Sequence, residues 1–134
     1  LKHPTMSNYR IVTSTAHGSA GNIVFEIAYD ESVTYTAGSA ATLVLTAGAG
    51  SNVTATVTHI SGTAIATGVA GNVLRFTATS SQATTYDLAA NVAMGNRANL
   101  KDTVSGVAIE LASGKLTAAV KTAIGYSQIT IAAP

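Results

Sequence analysis

Apolar and polar positions alternate most regularly between Asn22 and Gly38, where the chain reads N-I-V-F-E-I-A-Y-D-E-S-V-T-Y-T-A-G. Every second residue from Ile23 to Tyr29 is large and apolar, so these side chains lie on one face of an extended chain. The acidic pair Asp30 and Glu31 interrupts the pattern before a second alternating run begins. The stretch therefore predicts two strands with one buried face, joined at a charged corner.

Short runs rich in Val, Ile, Thr and Tyr continue along the chain, separated by glycine and small polar clusters. In the run that begins at Asn52, threonines at 54, 56 and 58 face away from apolar residues at 53, 55 and 57. Such runs with frequent turns are typical of an all-β antiparallel sandwich or barrel. The predicted strands are 7–13, 22–30, 33–36, 42–46, 52–60, 72–79, 85–92, 104–111 and 126–132.

The inward-facing rows of these strands predict the core. Because only 5% of the residues are aromatic and Trp is absent, the core is expected to be thin and mainly aliphatic. The predicted core residues are Phe25, Ile27, Leu43, Leu45, Val53, Ala55, Val57, Leu74, Phe76, Tyr86, Leu88, Ala90, Val92 and Ile109.

The segment 113–125 fits the β pattern less well, because Leu116, Val120 and Ile124 recur at every fourth position. Ser113 could cap a helix here and Gly125 could end it. Two interpretations stay open, a short helix over 114–124 or a strand with a loop.

Charge is scarce on this chain. Charged residues make up 10% of it, against about 25% in an average soluble domain, and the formal net charge is +1. This disfavours nucleic acid and anionic membrane surfaces as partners, because both require a basic patch. No run approaches the roughly 20 consecutive apolar residues of a membrane span. A neutral surface resists self-association poorly, which favours a protein that packs against copies of itself.

The 134 residues fit one domain, and the absence of Cys excludes disulfides and thiolate metal sites without identifying a compartment. The first residues contain neither an initiator Met nor the apolar centre of a signal peptide. The chain is therefore expected to be a mature, excised or partial product.

Acidic residues offer the main candidate for a metal site. Asp30 and Glu31 are adjacent, so on a strand they point to opposite faces and are poorly placed as a paired acid and base. Together with Asp102 they could meet in the fold as a weak calcium site, although calcium takes about six to eight oxygen ligands. We therefore predict no metal site and expect the fold to be insensitive to chelation.

The other candidate motifs favour structural roles. His3, His17 and His59 share no spacing that places two of them on one face of a helix or strand, which disfavours zinc. The glycines at 48–50 lack the following helix and Lys of a phosphate-binding loop, so a hairpin turn is expected. Asn52 matches a glycosylation sequon by accident, and no serine lies in a G-x-S-x-G motif. We predict no catalytic residue and no cofactor, and that the protein is not an enzyme.

Tyrosines are the main candidates for ligand contact. If two or more were exposed side by side, they could stack on a carbohydrate, although half-buried strand tyrosines are more common. The tyrosines are Tyr9, Tyr29, Tyr35, Tyr86 and Tyr126.

A series of short motifs runs along nearly the whole chain. They are P-T-M-S at 4–7, A-Y-D-E-S-V-T-Y-T at 28–36, A-T-L-V-L at 41–45, H-I-S-G-T at 59–63, L-R-F at 74–76, L-K-D-T at 100–103 and the terminal I-A-A-P. Their order resembles that of the immunoglobulin-like repeats of large bacterial surface adhesins, which also occur in phage structural proteins. The resemblance implies a single immunoglobulin-like antiparallel β-sandwich over 8–134, preceded by an N-terminal arm over 1–7.

The chain departs from those repeats in three places. The glycine that closes the corner after Asp102 is displaced to Gly106, and no acidic D-x-D linker is present. The segment 113–125 is additional to a minimal repeat of about 100 residues. The first two departures argue against calcium-stiffened tandem repeats, whereas the additional segment could be a docking element.

Together, the neutral composition and the resemblance lead to one functional expectation. It is a non-enzymatic, extracellular or virion-surface module that assembles in repeated copies on a phage virion, as a decoration or tail protein, or on a comparable particle or filament. Leu1 to Ser7 and the edge formed by Gln128 to Ala133 are the expected contacts with copies or with a lattice. The alternatives are a bacterial adhesin repeat, a carbohydrate- or surface-ligand-binding module, and a hydrolase whose site the sequence does not reveal.

Overall fold

The computed structural model describes residues 3–111 and 113–134, in which it forms nine strands, one 3-10 turn and one α-helix. Leu1, Lys2 and Ala112 lie outside the described residues. The elements in chain order are β1 (Met6–Ser14), β2 (Ile23–Tyr35), β3 (Thr42–Ala47), β4 (Val53–Ile60), β5 (Thr63–Ala64), β6 (Ala70–Ala78), β7 (Thr84–Asp87), the 3-10 turn (Arg97–Asn99), β8 (Leu100–Asp102), α1 (Ala118–Ile124) and β9 (Ile129–Ile131).

The strands pair in an antiparallel sheet with the order β1-β2-β6-β4-β3-β7-β9, while β5 pairs with β4 and β8 with β2. Strand β3 links two parts of the sheet, because its first part pairs with β4 and its end at Thr46 and Ala47 pairs with β7. The two ends of the sheet approach each other, since the Tyr9 hydroxyl donates to the Ser127 carbonyl and the His17 N–H donates to the Ala132 carbonyl. The predicted all-β antiparallel fold is confirmed as a nearly closed sandwich.

Strand β2 is continuous where the sequence indicated two strands and a corner. Its register is irregular between Ala28 and Val33, and there β8 replaces β1 as the neighbouring strand. An irregularity of this kind lets a strand bend and change partners without ending. Asp30 and Glu31 therefore lie within a strand.

Three predicted strands are wrong in extent, of which 126–132 is reduced to Ile129–Ile131. The run 85–92 ends at Asp87, and the run 104–111 forms no strand, although β8 precedes it. After β8 the chain turns tightly, because the Asp102 carboxylate accepts the N–H groups of Val104 and Ser105 and the Asp102 carbonyl accepts that of Gly106. Gly106 has φ 75°, a left-handed conformation that glycine adopts without strain.

Most of the predicted core is buried, with the exceptions of Ala90, which is exposed, and Val53, which is half-buried. The core is mainly aliphatic, as expected, but it contains more aromatic residues than the three that were predicted. Phe25 and Phe76 stack at its centre with ring centroids 5.1 Å apart, and four tyrosines are also buried. The composition gave only the number of aromatic residues, whereas the fold places nearly all of them inside.

The helical interpretation of 114–124 is confirmed, but α1 begins later, at Ala118. Thr117 caps it by accepting the Val120 N–H, and Gly125 ends it in the left-handed conformation. Ser113 does not cap the helix, because its hydroxyl donates to the Asn91 carbonyl.

The segment 1–7, expected from the resemblance to be an arm, packs against the sheet over residues 3–7. Pro4 and Met6 are buried, and Met6 pairs with Tyr29 as the first residue of β1. The backbone N–H and hydroxyl of Thr5 both donate to Asp30. This part of the segment is built into the sandwich.

Candidate functional site

The three acidic residues considered for a weak calcium site, Asp30, Glu31 and Asp102, are not brought together as a set. Asp30 accepts the Thr5 N–H at 2.9 Å and the Thr5 hydroxyl at 2.8 Å. Glu31 and Asp102 instead line a separate cleft of about 420 Å³. Within the described residues, no group of three or more His, Asp or Glu side chains is arranged to hold a metal ion.

Asp102 stabilises the loop that follows β8 through hydrogen bonds to its backbone. Its Oδ1 accepts the N–H groups of Val104 and Ser105, both at 2.8 Å. The Glu31 side chain, which hydrogen-bonds the Asp102 carboxylate, and these backbone N–H groups hold the pKa of Asp102 below its ordinary value. The loop presents Val104, whose side chain is 96% exposed, so the geometry of Asp102 is that of a turn-forming residue.

The three histidines lie apart. His3 contacts Glu110, with 3.3 Å between Nε2 and Oε2, and His59 contacts the Thr58 hydroxyl at 2.9 Å. His17 lies in the β1–β2 loop, where its backbone N–H donates to the Ala132 carbonyl. The structure therefore brings no two of them into one site.

The tyrosine platform does not form, because Tyr9, Tyr29, Tyr35 and Tyr86 are buried and Tyr126 is half-buried. Their hydroxyls bond within the protein, for example Tyr9 to the Ser127 carbonyl and Tyr29 to the Glu110 carbonyl. Burial raises the pKa of Tyr9, Tyr29 and Tyr126 above the ordinary tyrosine value. These side chains serve the core.

The glycine cluster at 48–50 forms the predicted turn between β3 and β4. The Gly48 N–H donates to the Thr85 carbonyl and the Ala49 N–H to the Thr84 hydroxyl, so these donors already have partners within the protein. The Asn52 side chain accepts the Ala47 N–H and helps to close the same turn.

The outer face of the sheet carries an arrangement that the sequence did not reveal. A row of side chains crosses five strands on this face, because each member pairs with the next across the ladder. We call it the threonine row, and its members are Thr13, Val24, Thr77, Thr56 and Thr42. The threonine face of β4 was predicted, but the row depends on the register of four other strands.

A charged row lies beside the threonine row. The Glu26 carboxylate is placed between two guanidinium groups, at 2.9 Å from Arg10 and 3.0 Å from Arg75. These residues pair across β1, β2 and β6, so the three charges form one chain of ion pairs on the face. The charged row therefore carries a net charge of +1, because one carboxylate pairs with two guanidinium groups.

These features define the class of the protein as an all-β antiparallel domain with a threonine-covered outer sheet face. Comparison with known protein families, curated proteins and solved structures finds no match to this chain. Over the described ranges, no helix has the length and apolar character needed to cross a membrane.

Proposed function

We propose that this domain is a non-enzymatic structural module that packs in repeated copies on the surface of a phage virion, as a decoration or tail protein, or on a comparable extracellular particle or filament. The observation that carries the proposal is the threonine row on the outer face. Threonine presents a methyl group and a hydroxyl that acts as donor and acceptor, so a copy can pack on the threonine row itself without burying an ion.

Electrostatics support packing on the same face. Burying an isolated charge against another subunit is costly, whereas Glu26 already pairs with both Arg10 and Arg75. The low charge of the whole chain, 10% of residues, adds little repulsion between copies. These features favour side-by-side contact of sheet faces over the contacts expected from the N-terminal segment and the β9 edge.

A bacterial adhesin repeat is the second candidate, and the path of the chain favours it. The chain enters β1 beside Tyr29 and Asp30, and Pro134 lies next to Gly18 in the loop at the far end of β1. A strand of this length spans roughly 27 Å at about 3.3 Å per residue. Entry and exit at opposite ends of a sandwich suit modules that are joined in a line.

Sedimentation velocity and electron microscopy of the purified protein over a range of concentrations test the proposal. We expect concentration-dependent assembly, and we expect Thr56→Lys, in the middle of the threonine row, to abolish it while the protein stays folded. An unpaired charge in a buried contact costs about 3–5 kcal/mol, which corresponds to more than a hundredfold loss of association.

Ala119→Lys is the matched control, because it adds the same charge at an exposed position of α1. We expect this variant to assemble like the original protein. Equal assembly of Thr56→Lys and the original protein would overturn the proposed face. A protein that stays monomeric at every concentration, but forms straight rods when copies are joined in tandem, would favour the adhesin repeat.

A further inference from the structure

A second cleft, of about 250 Å³, lies where His3 meets the loop after β8 and Lys115. We call it the cationic cleft. Its lining residues are His3, Arg97, Val107, Ala108, Glu110 and Lys115.

The cleft contains two cations that are not neutralised by an ion pair. Among the described residues, Arg10 and Arg75 pair with Glu26 and Lys121 pairs with Asp87, whereas Arg97 and Lys115 have no carboxylate within ion-pair distance. On a chain with only seven Lys and Arg residues, the convergence of two such cations on one small cleft is a specific feature.

Arg97 is held in position for a ligand. Its Nη1 donates to the Ile109 carbonyl, which fixes the guanidinium at the wall of the cleft. A guanidinium carries further N–H groups in a planar fork, and this fork matches the two oxygens of a carboxylate. Lys115 is exposed and flexible enough to place a second positive charge on the same anion.

Glu110 does not neutralise both positive charges of the cleft. Its carboxylate contacts the His3 ring at 3.3 Å, and its side chain is 18% exposed. Arg97 and Lys115 contribute two positive charges and Glu110 one negative charge, so the lining carries a net charge of +1 with His3 neutral. Val107 and Ala108 complete the wall with small apolar side chains.

We propose that the cationic cleft binds a small organic anion, a carboxylate carried on a compact body such as a sugar acid. Arg97 holds the carboxylate through its fork, Lys115 adds the second charge, and Val107 and Ala108 contact the body of the ligand. The volume is below the roughly 300–1,000 Å³ of sites for drug-sized ligands, which restricts the ligand to a small one. This site is independent of the proposed packing of sheet faces.

Titration of the isotope-labelled protein with glucuronate, acetate and glucose, followed by NMR, tests the site. We expect glucuronate and acetate to shift the backbone signals of Val107 and Ala108 and the side-chain Nε–H signal of Arg97. Glucose, which has no carboxylate, should leave them unchanged. Lys115→Gln should weaken glucuronate binding by about tenfold, because it removes one of the two positive charges that act on the carboxylate.

Lys121→Gln is the matched control, since it removes the same charge from α1 outside the cleft. We expect it to bind glucuronate like the original protein. Equal weakening in Lys121→Gln and Lys115→Gln would indicate general attraction of anions and overturn the site. The absence of shifts at the cleft with either carboxylate, or equal shifts with glucose, would also overturn it.

Discussion

Phe25 illustrates how a single residue organises the packing of the core. It pairs with Phe76 across β2 and β6, and the two rings are nearly parallel, at 8° and 5.1 Å between centroids. The Tyr9 ring packs against Phe25 at 5.8 Å, which links β1 to the same cluster. Stacked aromatic pairs contribute about 0.5–1.5 kcal/mol beyond the area they bury.

Replacing Phe25 by Ala should therefore lower the free energy of unfolding by about 3–5 kcal/mol, because the large ring leaves a cavity among fixed neighbours. Urea denaturation measures this change. Val44→Ala is the control, since Val44 is 43% exposed on the outer face and should cost less than about 0.5 kcal/mol. A loss below about 1 kcal/mol in Phe25→Ala would mean that the ring does not pack as described.

The Asp102 carboxylate predicts a specific dependence on pH. The hydrogen bond with Glu31 and those from Ser105 and Val104 lower the pKa of Asp102 in the folded state. The stabilising contribution is complete above the unfolded-state pKa, near about 3.9, and is lost as the pH falls through the lowered folded-state pKa. Asp102→Asn should therefore be less stable than the original protein at neutral pH, and the difference should shrink in acid.

Chemical denaturation of both proteins between neutral pH and the acid range measures this difference. Asn keeps an oxygen that can accept the Val104 and Ser105 N–H groups, so the variant isolates the charge from the turn geometry. Parallel pH profiles for the two proteins would contradict the assignment.

At the residue scale, the sequence predicted which side chains are buried better than it predicted which distant residues lie close together. Alternation placed Phe25 and Ile27 inside because one strand suffices to define its two faces. The cationic cleft joins Arg97 with Glu110 and Lys115, whose approach depends on the loop after β8. No spacing in the chain indicates that approach, so the cleft could not be predicted from the sequence.

Among the elements, the helix is the one where two interpretations competed. The apolar period of four residues predicted it, and Gly125 marked its end correctly. The start was wrong because Ser113 and Thr117 are both acceptable caps by type. Only the structure distinguishes them, since the Thr117 hydroxyl accepts the Val120 N–H while Ser113 binds the Asn91 carbonyl.

Thr117→Ala should destabilise the protein by about 1 kcal/mol, because the first turn of α1 loses its cap. Thermal or urea denaturation measures the change. Ser113→Ala is the matched control and should stay within about 0.5 kcal/mol, since Ser113 is exposed and outside the helix. A larger loss in Ser113→Ala than in Thr117→Ala would place the start of the helix four residues earlier.

The wrong strand over 104–111 has a physical reason. Ile109 and Leu111 are buried while Glu110 between them is half-exposed, so the alternation that suggested a strand is present. Alternation reports an extended chain with one covered side, and it contains no information about a neighbouring ladder. Here the segment makes only an isolated bridge between Lys101 and Ala108.

At the scale of the whole molecule, closure of the sheet depends on contacts between the ends of the chain. The Tyr9 hydroxyl donates to the Ser127 carbonyl, and its ring lies 4.9 Å from that of Tyr126. The sequence indicated an unprotected edge at Gln128 to Ala133, because Q-I-T-I-A-A has no charged residue to block pairing. The fold directs this edge towards β1 instead, and such a long-range pairing is not encoded in local pattern.

Because residues 3–7 pack against the rest of the sheet, deletion of residues 1–7 should lower the stability of the protein. An unattached arm could be deleted without loss of stability, but Met6 is buried and Thr5 is bonded to Asp30. Deletion of residues 1–7 should therefore lower the free energy of unfolding by at least about 2 kcal/mol, the lower end for losing a buried Met side chain. Urea denaturation measures this loss, and removal of the exposed Ala133 and Pro134 is the control, which should change stability little. If the protein without residues 1–7 unfolds at the same urea concentration as the original, the segment is an arm, and its role in contacting copies becomes the stronger hypothesis.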